Sequence, residues 1–255
     1  MNMNIITLDN ENIEKEHICC LMSQKDSGYV DQKKSWLKDR MNEGLTFKKM
    51  DVRGKVFIEY IPLKNAWYPI DGDEYMFIDC LWVSGKYKGE GNSSILLDEC
   101  IKDTKSRGLK GLAILSSDKK KGYMADKKFL TYKGFIKCDE AEPYFELMYL
   151  PFEENVEPPK FRDSVKTPKT GNNGFTLYYT AQCPFTLKYS PLIEEEAKKN
   201  NIPLKSVKID NLEKAKDAKS PYTSYSVFYK DEFITHEILT VKAFNDLAGK
   251  YVNKK

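Results

Sequence analysis

Histidine is the scarcest reactive residue in this chain: there are 2 among 255 residues, His17 and His236. With so few imidazoles, and with 6 cysteines that nowhere form a CxxC pair, no zinc or iron–sulfur centre is expected. His17, Cys19 and Cys20 are the one cluster of candidate ligands. On a helix, however, His17 and Cys20 share a face with Ile13, which is the pattern of ordinary packing. Also missing is any apolar run of about 18 residues, so no membrane span is expected. The opening MNMNIITLDNENIEKEH has no basic stretch followed by an apolar one, so no secretory leader is expected either. The cysteines then read as reduced thiols of a cytoplasmic protein. Charge of one sign is not in excess: 41 Lys+Arg against 38 Asp+Glu leaves +3, far from the asymmetry of a nucleic-acid binder.

What the chain does have is enough apolar material, 41% with 13% aromatic, to bury a substantial core. Pro151, Pro158, Pro159 and Pro168 crowd one polar stretch that ends in the turn cluster Gly171-Asn172-Asn173-Gly174. Residues 151–174 therefore read as a linker between a domain at 1–150 and a smaller one at 175–255. The first domain reads as a strand at Asn4–Leu8, helices at Glu11–Ser23 and Tyr29–Glu43, and a hairpin of Leu45–Asp51 with Lys55–Tyr60. YMFIDCLWV at Tyr75–Val83 is almost continuously apolar, as in a central strand covered on both faces. A helix at Ser94–Lys105, a strand at Leu109–Ser116, a short helix at Asp126–Lys133 and strands at Phe135–Lys137 and Tyr144–Tyr149 complete it. Trp67 and Tyr68 could wall a ligand groove or form an aromatic patch under a loop or at a domain boundary.

The segment LWVSGKYKGEGNSSILLDEC, Leu81–Cys100, carries the clearest chemistry. A buried strand ends at Val83, and a loop of glycines and lysines then opens into an amphipathic helix. The first turn of that helix has free N–H groups and the positive end of the helix dipole. Small residues at Gly89, Gly91, Ser93 and Ser94 let a ligand approach the backbone, and Lys86 and Lys88 add charge. This is a cradle suited to phosphate or pyrophosphate. It is neither a Walker A loop nor a GxGxxG fingerprint.

The same segment resembles motif A of the GNAT superfamily of N-acetyltransferases, with Tyr87, Lys88, Gly89, Gly91 and Ser93 in the places of its Y-[RQ]-G-x-G-x-[GA] loop. Phe129-Leu-Thr-Tyr-Lys-Gly-Phe135 is similar to the ending of the family's motif B. The resemblance spans residues 1 to about 150. It implies an α+β fold with a mixed, mostly antiparallel central sheet flanked by helices, and acetyl-CoA as cosubstrate. Lys88, Gly89, Glu90, Gly91, Asn92, Ser93 and Ser94 would hold its pyrophosphate, and the strand edge at Leu81, Trp82 and Val83 its pantetheine arm. An amine, small or peptidic, would accept the acetyl group by direct attack in a ternary complex, without metal, nucleic acid or membrane. One departure concerns proton transfer. The tyrosine that often protonates the leaving thiolate is replaced by Leu130, with Tyr132 two residues on and Tyr123 one to two turns earlier. Asp79, the one charged residue of the apolar strand, and Glu59 are the candidate bases, because apolar surroundings raise a carboxylate toward a useful range.

Residues 175–255 read as β-α-β-α-β-β-α, an order that resembles the thioredoxin-like fold, and the pairing of the two parts resembles GNAT proteins with a YoaP-type C-terminal domain. Cys183 stands where that fold puts its nucleophile, but in CPFT the resolving cysteine is Thr186. The alternative function is therefore a non-catalytic CoA-binding or thiol-exchange module acting through Cys183.

Overall fold

The computed structural model describes residues 4–252; residues 1–3 and 253–255, at the ends of the two expected domains, lie outside it. A seven-stranded sheet of order β1-β2-β3-β5-β6-β8-β7 dominates. Its strands are β1 (Ile5–Thr7), β2 (Thr46–Met50), β3 (Val56–Pro62), β5 (Tyr75–Val83), β6 (Gly111–Ser117), β7 (Ile136–Ala141) and β8 (Phe145–Pro151), with α1 (Ser27–Met41), α2 (Asn92–Ser106) and α3 (Lys127–Tyr132) packed around it. Every pairing is antiparallel except β5 with β6, so the mixed, mostly antiparallel α+β architecture is present as expected.

Alternation along the strands splits the core. Ile58, Tyr60, Met76, Ile78 and Ile114 face α2 and α3, where Leu96, Leu97, Cys100 and Leu130 cover them. Phe47, Phe57, Phe77, Leu115 and Phe145 face the other way, and there the core runs on into Ile209, Ala215 and Ala218 of the C-terminal part.

That part is a four-stranded sheet of order β11-β10-β12-β13, built from β10 (Phe175–Tyr179), β11 (Leu204–Lys208), β12 (Tyr225–Tyr229) and β13 (Glu232–Thr235). β10 runs parallel to β11 and antiparallel to β12. Its helices are α5 (Pro184–Lys199), α6 (Leu212–Lys216) and α7 (Val241–Val252). The proline-rich stretch between the sheets carries β9 (Lys160–Phe161), paired with β4 (Ile70–Asp71), and the single helical turn α4 (Asp163–Lys166). Arg162 clamps Asp71 at 2.7–2.8 Å, and Ser164 donates to the Ala218 carbonyl at 2.9 Å.

The helix expected at Glu11–Ser23 is not formed. Asp9 accepts from the N–H groups of Glu11 and Asn12, making one tight turn, and Cys19 (φ 63°) and Leu21 (φ 48°) adopt left-handed backbone that no α-helix can contain. Burial of Ile13, Ile18 and Cys19 against the sheet outweighs local helical periodicity. The chain there coils over one end of the sheet and delivers Cys20 to the space described next.

Candidate active site

Across β3 and β5 the register slips by one residue: Glu59 stands opposite Cys80, while Tyr60 stands opposite Ile78. Asp79 is the extra residue of this bulge. The bulge sits where two strands separate. β5 pairs with β6 only from Tyr75–Gly111 to Ile78–Ile114, after which β5 continues along β3 and β6 along β8. The edge of β5 from Asp79 to Val83 is thus free of β6, and a narrow slot of about 30 Å³ lies at the fork, lined by Asp79, Leu81, Trp82, Ile114, Tyr123 and Ala125.

Beside the fork a cavity of about 290 Å³ opens between the two sheets. Its floor is the sheet face carrying Phe47, Phe57, Glu59, Cys80 and Trp82; Ile18 and Cys20 close one side. The opposite wall is Gln182, Cys183, Pro184 and Phe185 at the start of α5, with Tyr222 and Ser224 from the segment before β12. The wall is fixed by buried contacts. Ser224 donates to Gln182 Oε1 at 2.9 Å, Gln182 Nε2 donates to Tyr68 Oη at 3.1 Å, and Thr223 donates to the Trp67 carbonyl at 2.6 Å. Trp67 and Tyr68 thus serve the boundary between the sheets.

The carboxylates differ. Both oxygens of Glu59 accept from Lys33 Nζ at 2.9 Å in a pair that is almost wholly buried. Burial pushes the Glu59 carboxyl up against the pull of Lys33. No ion pair or side-chain hydrogen bond holds Asp79 among the described residues. Burial, with the charge of Glu59 beside it, pushes Asp79 well above the carboxylate range. A carboxylate so raised, facing a cavity, can take a proton from an entering ammonium ion.

Two tyrosines and three thiols complete the picture. Leu130 is fully buried in α3 and Tyr132 is 84% exposed on its outer side. Tyr123 lines both the fork and the cavity, and burial raises its phenol, keeping the proton on. Its loop is held from the second sheet by His236, whose Nε2–H donates to the Gly122 carbonyl while Nδ1 accepts from the Tyr144 hydroxyl, each at 2.7 Å. Cys20, Cys80 and Cys183 all border the cavity. Burial raises all three thiols; at Cys183 that outweighs the N–H groups of Phe185 and Thr186 at the start of α5. Thr186 is buried, its hydroxyl donating to the carbonyls of Thr180 and Cys183.

On the other side of the fork, Gly89 and Gly91 take left-handed backbone at φ 81° and 79°, and Gly91 caps α2. Among the described residues the N–H groups of Gly89 to Ser93 have no hydrogen-bond partner, while Ser94 and Ile95 donate back to the Gly91 carbonyl. A side chain added at Gly89 or Gly91 would enter open space. Tyr87 stacks against Gly54 of the β2–β3 turn, and Asn92 donates to the Tyr87 carbonyl at 2.9 Å, which fixes the loop. Lys127, one of several lysines near α3, is held by Glu146 at 2.7 Å.

Sequence reasoning singled out Asp79, Glu59, the 88–94 loop and Cys183 individually. It missed that Cys20, Lys33, Lys55 and Tyr222 share a cavity with Asp79, Glu59 and Cys183, because no periodicity links positions so distant in the chain.

The YoaP-like family model matches residues 203–245. The uncharacterised N-acetyltransferase YoaP of Bacillus subtilis strain 168 is 42% identical over 243 residues, covering 95% of this chain and 97% of that protein. Among solved structures, the chain is similar to the PaiA N-acetyltransferase of Thermoplasma acidophilum in complex with coenzyme A. That match has a TM-score of 0.41 and 16% identity over 59% of this chain and 99% of that one. It is also similar to the acetyltransferase yncA of Salmonella typhimurium with acetyl-CoA, with a TM-score of 0.45 and 12% identity over 62% and 98%. At 42% identity over nearly the full length of both proteins, the chain belongs to the YoaP-like N-acetyltransferases, a family of acyltransferases.

Proposed function

We propose that the protein transfers the acetyl group of acetyl-CoA to a primary amine by direct attack within a ternary complex. The observation that carries this reading is the fork between β5 and β6, with an unpartnered run of N–H groups on one side and the bulged Asp79 on the other. The loop Lys88–Ser94 would take the pyrophosphate on the unpartnered N–H groups of Gly89 to Ser93 at the start of α2, where the helix dipole favours negative charge. The free edge at Leu81–Val83 would pair with the amides of the pantetheine arm.

Asp79 would receive the ammonium proton. The amine nitrogen then bonds to the thioester carbonyl carbon, the carbon–sulfur bond breaks and the thiolate takes the proton of Tyr123. The nitrogen gives up its second proton to restore that phenol, leaving an amide, free CoA thiol and a protonated Asp79 that returns its proton to solvent. Glu59 is held by Lys33 and is read as a structural carboxylate. Residues 1–150 are read as the catalytic domain, 151–174 as the connection, and 175–255 as a thioredoxin-like domain, a reading supported by its β-α-β-α-β-β-α order with β10 between β11 and β12.

Three thiols on one cavity favour a second reading, thiol exchange through Cys183. Burial that suppresses the thiolates weighs against it. Calorimetry tests the first reading: acetyl-CoA should bind the wild-type protein, and Gly91→Val, which puts a branched side chain on left-handed backbone, should weaken binding at least tenfold. Equal affinity for the two proteins would remove the cradle.

A further inference from the structure

Resting on the acetyl-transfer reading, we infer that the acceptor is a small monoamine with a compact apolar body, and that the C-terminal domain supplies the wall that selects it. Size is the first argument. At about 290 Å³ the cavity holds the volume of about ten water molecules at about 30 Å³ each, just under the usual range of about 300–1,000 Å³ for small-molecule sites. A peptide would need an open groove with backbone partners along it. Here the space facing the sheet is taken by Cys183–Phe185 and by Tyr222 and Ser224, fixed through the buried Gln182–Tyr68 and Thr223–Trp67 hydrogen bonds. A rigid wall of that kind admits a side chain's worth of substrate rather than a chain.

Charge is the second argument. Lys33 and Glu59 neutralise each other. Asp79 is then the acidic group left to meet an ammonium ion. Lys55, just before β3, lines the same cavity as Glu59 and Asp79. Its ammonium group sits between the rings of Trp82 and Phe185, 5.8 and 5.3 Å from their centroids, with no carboxylate partner among the described residues. A polyamine or polyaminated sugar would bring its further ammonium groups toward this cation, which like-charge repulsion disfavours. One positive charge at the Asp79 end, followed by apolar surface over Phe47, Phe57 and Phe185, fits the lining.

The test uses the full-length protein with acetyl-CoA, following acetylated product by mass spectrometry. The acceptors are 2-phenylethylamine, tryptamine and isoamylamine, against spermidine, kanamycin and a lysine-containing hexapeptide with a free N-terminus. At least one monoamine should exceed the other three in kcat/KM by tenfold or more. Phe185→Ala should raise the monoamine KM at least fivefold with the acetyl-CoA KM within twofold, and Phe185→Leu should recover most of the loss. A preference for spermidine, kanamycin or the peptide overturns the inference, as does an unchanged monoamine KM in Phe185→Ala or the absence of turnover with every monoamine while acetyl-CoA binds. Failure of acetyl-CoA to bind at all would instead bring down the acetyl-transfer reading beneath it.

Discussion

Lys33 holds both oxygens of Glu59 at 2.9 Å in an almost wholly buried pair, and this single contact separates the roles of two neighbouring carboxylates. With Glu59 committed to Lys33, Asp79 is the acid left facing the cavity without a cationic partner.

Substitution should therefore affect the two carboxylates in opposite ways. Asp79→Asn should lower kcat by about 10²–10⁴, the usual worth of a positioned base, without lowering Tm. Glu59→Gln leaves the Lys33 charge buried and unpaired, at a cost of about 3–5 kcal/mol, or a Tm drop on the order of 10 °C for a chain of this size. Thermal melts and steady-state kinetics on both variants decide the assignment. A Glu59→Gln protein of normal Tm, inactive where Asp79→Asn is active, would reverse it.

The pH dependence of Asp79 carries a definite sign. Its pKa is raised in the folded protein, so the stability it contributes is complete below the unfolded value and is lost as pH rises through the folded one. Activity runs the other way, because a base must be deprotonated. The acidic limb of kcat/KM should fall above the ordinary carboxylate range, near 3.9, and Asp79→Asn should become more stable relative to wild type as pH rises. A limb at an ordinary carboxylate pKa would contradict the burial argument.

Much of the frame was legible in the sequence. The apolar run at Tyr75–Val83 gave β5 with the bounds it has, and the Gly-rich loop before Ser94 gave the start of α2 to within two residues. These signals are local, since they depend on strand burial, glycine conformation and helix periodicity. The Glu11–Ser23 segment misled because its helical spacing is real, yet the burial of Ile13, Ile18 and Cys19 is won with left-handed turns at Cys19 and Leu21. The bulge at Asp79 depends on a register no single strand encodes, and the cavity depends on docking two sheets whose partners, Tyr68 and Gln182, lie 114 positions apart.

Tyr123 and Tyr132 offer a paired comparison. Tyr132 points to solvent at 84% exposure, so Tyr132→Phe should leave kcat within twofold of wild type. Tyr123→Phe removes the hydroxyl at the fork and should lower kcat by tenfold or more. The reverse ranking in steady-state assays would place the thiolate's proton source outside the fork.

His236 should make the docking of the two sheets sensitive to acid. It is neutral between Gly122 and Tyr144, and burial lowers its pKa below 6.5, with Lys121 assisting and Glu237 opposing. A histidine lowered in this way contributes stability that is present above its unfolded value and lost as pH falls below about 6.5. Melts between pH 5.5 and 7.5 should show a smaller acid loss for His236→Gln than for wild type. Equal slopes would mean that the imidazole charges without disturbing the contact.

Direct attack in a ternary complex is the centre of the account, and a quenched single turnover tests it most directly. Enzyme in excess over acetyl-CoA is mixed with a competent amine, stopped in acid and read by intact-protein and small-molecule mass spectrometry. The acetyl group should pass from CoA to the amine with Cys183 unmodified at every time point, and Cys183→Ala should give the same time course. An acetylated Cys183 that appears before the product and decays as the product forms, together with loss of transfer in the alanine variant, would contradict direct attack and make the C-terminal domain part of the chemistry.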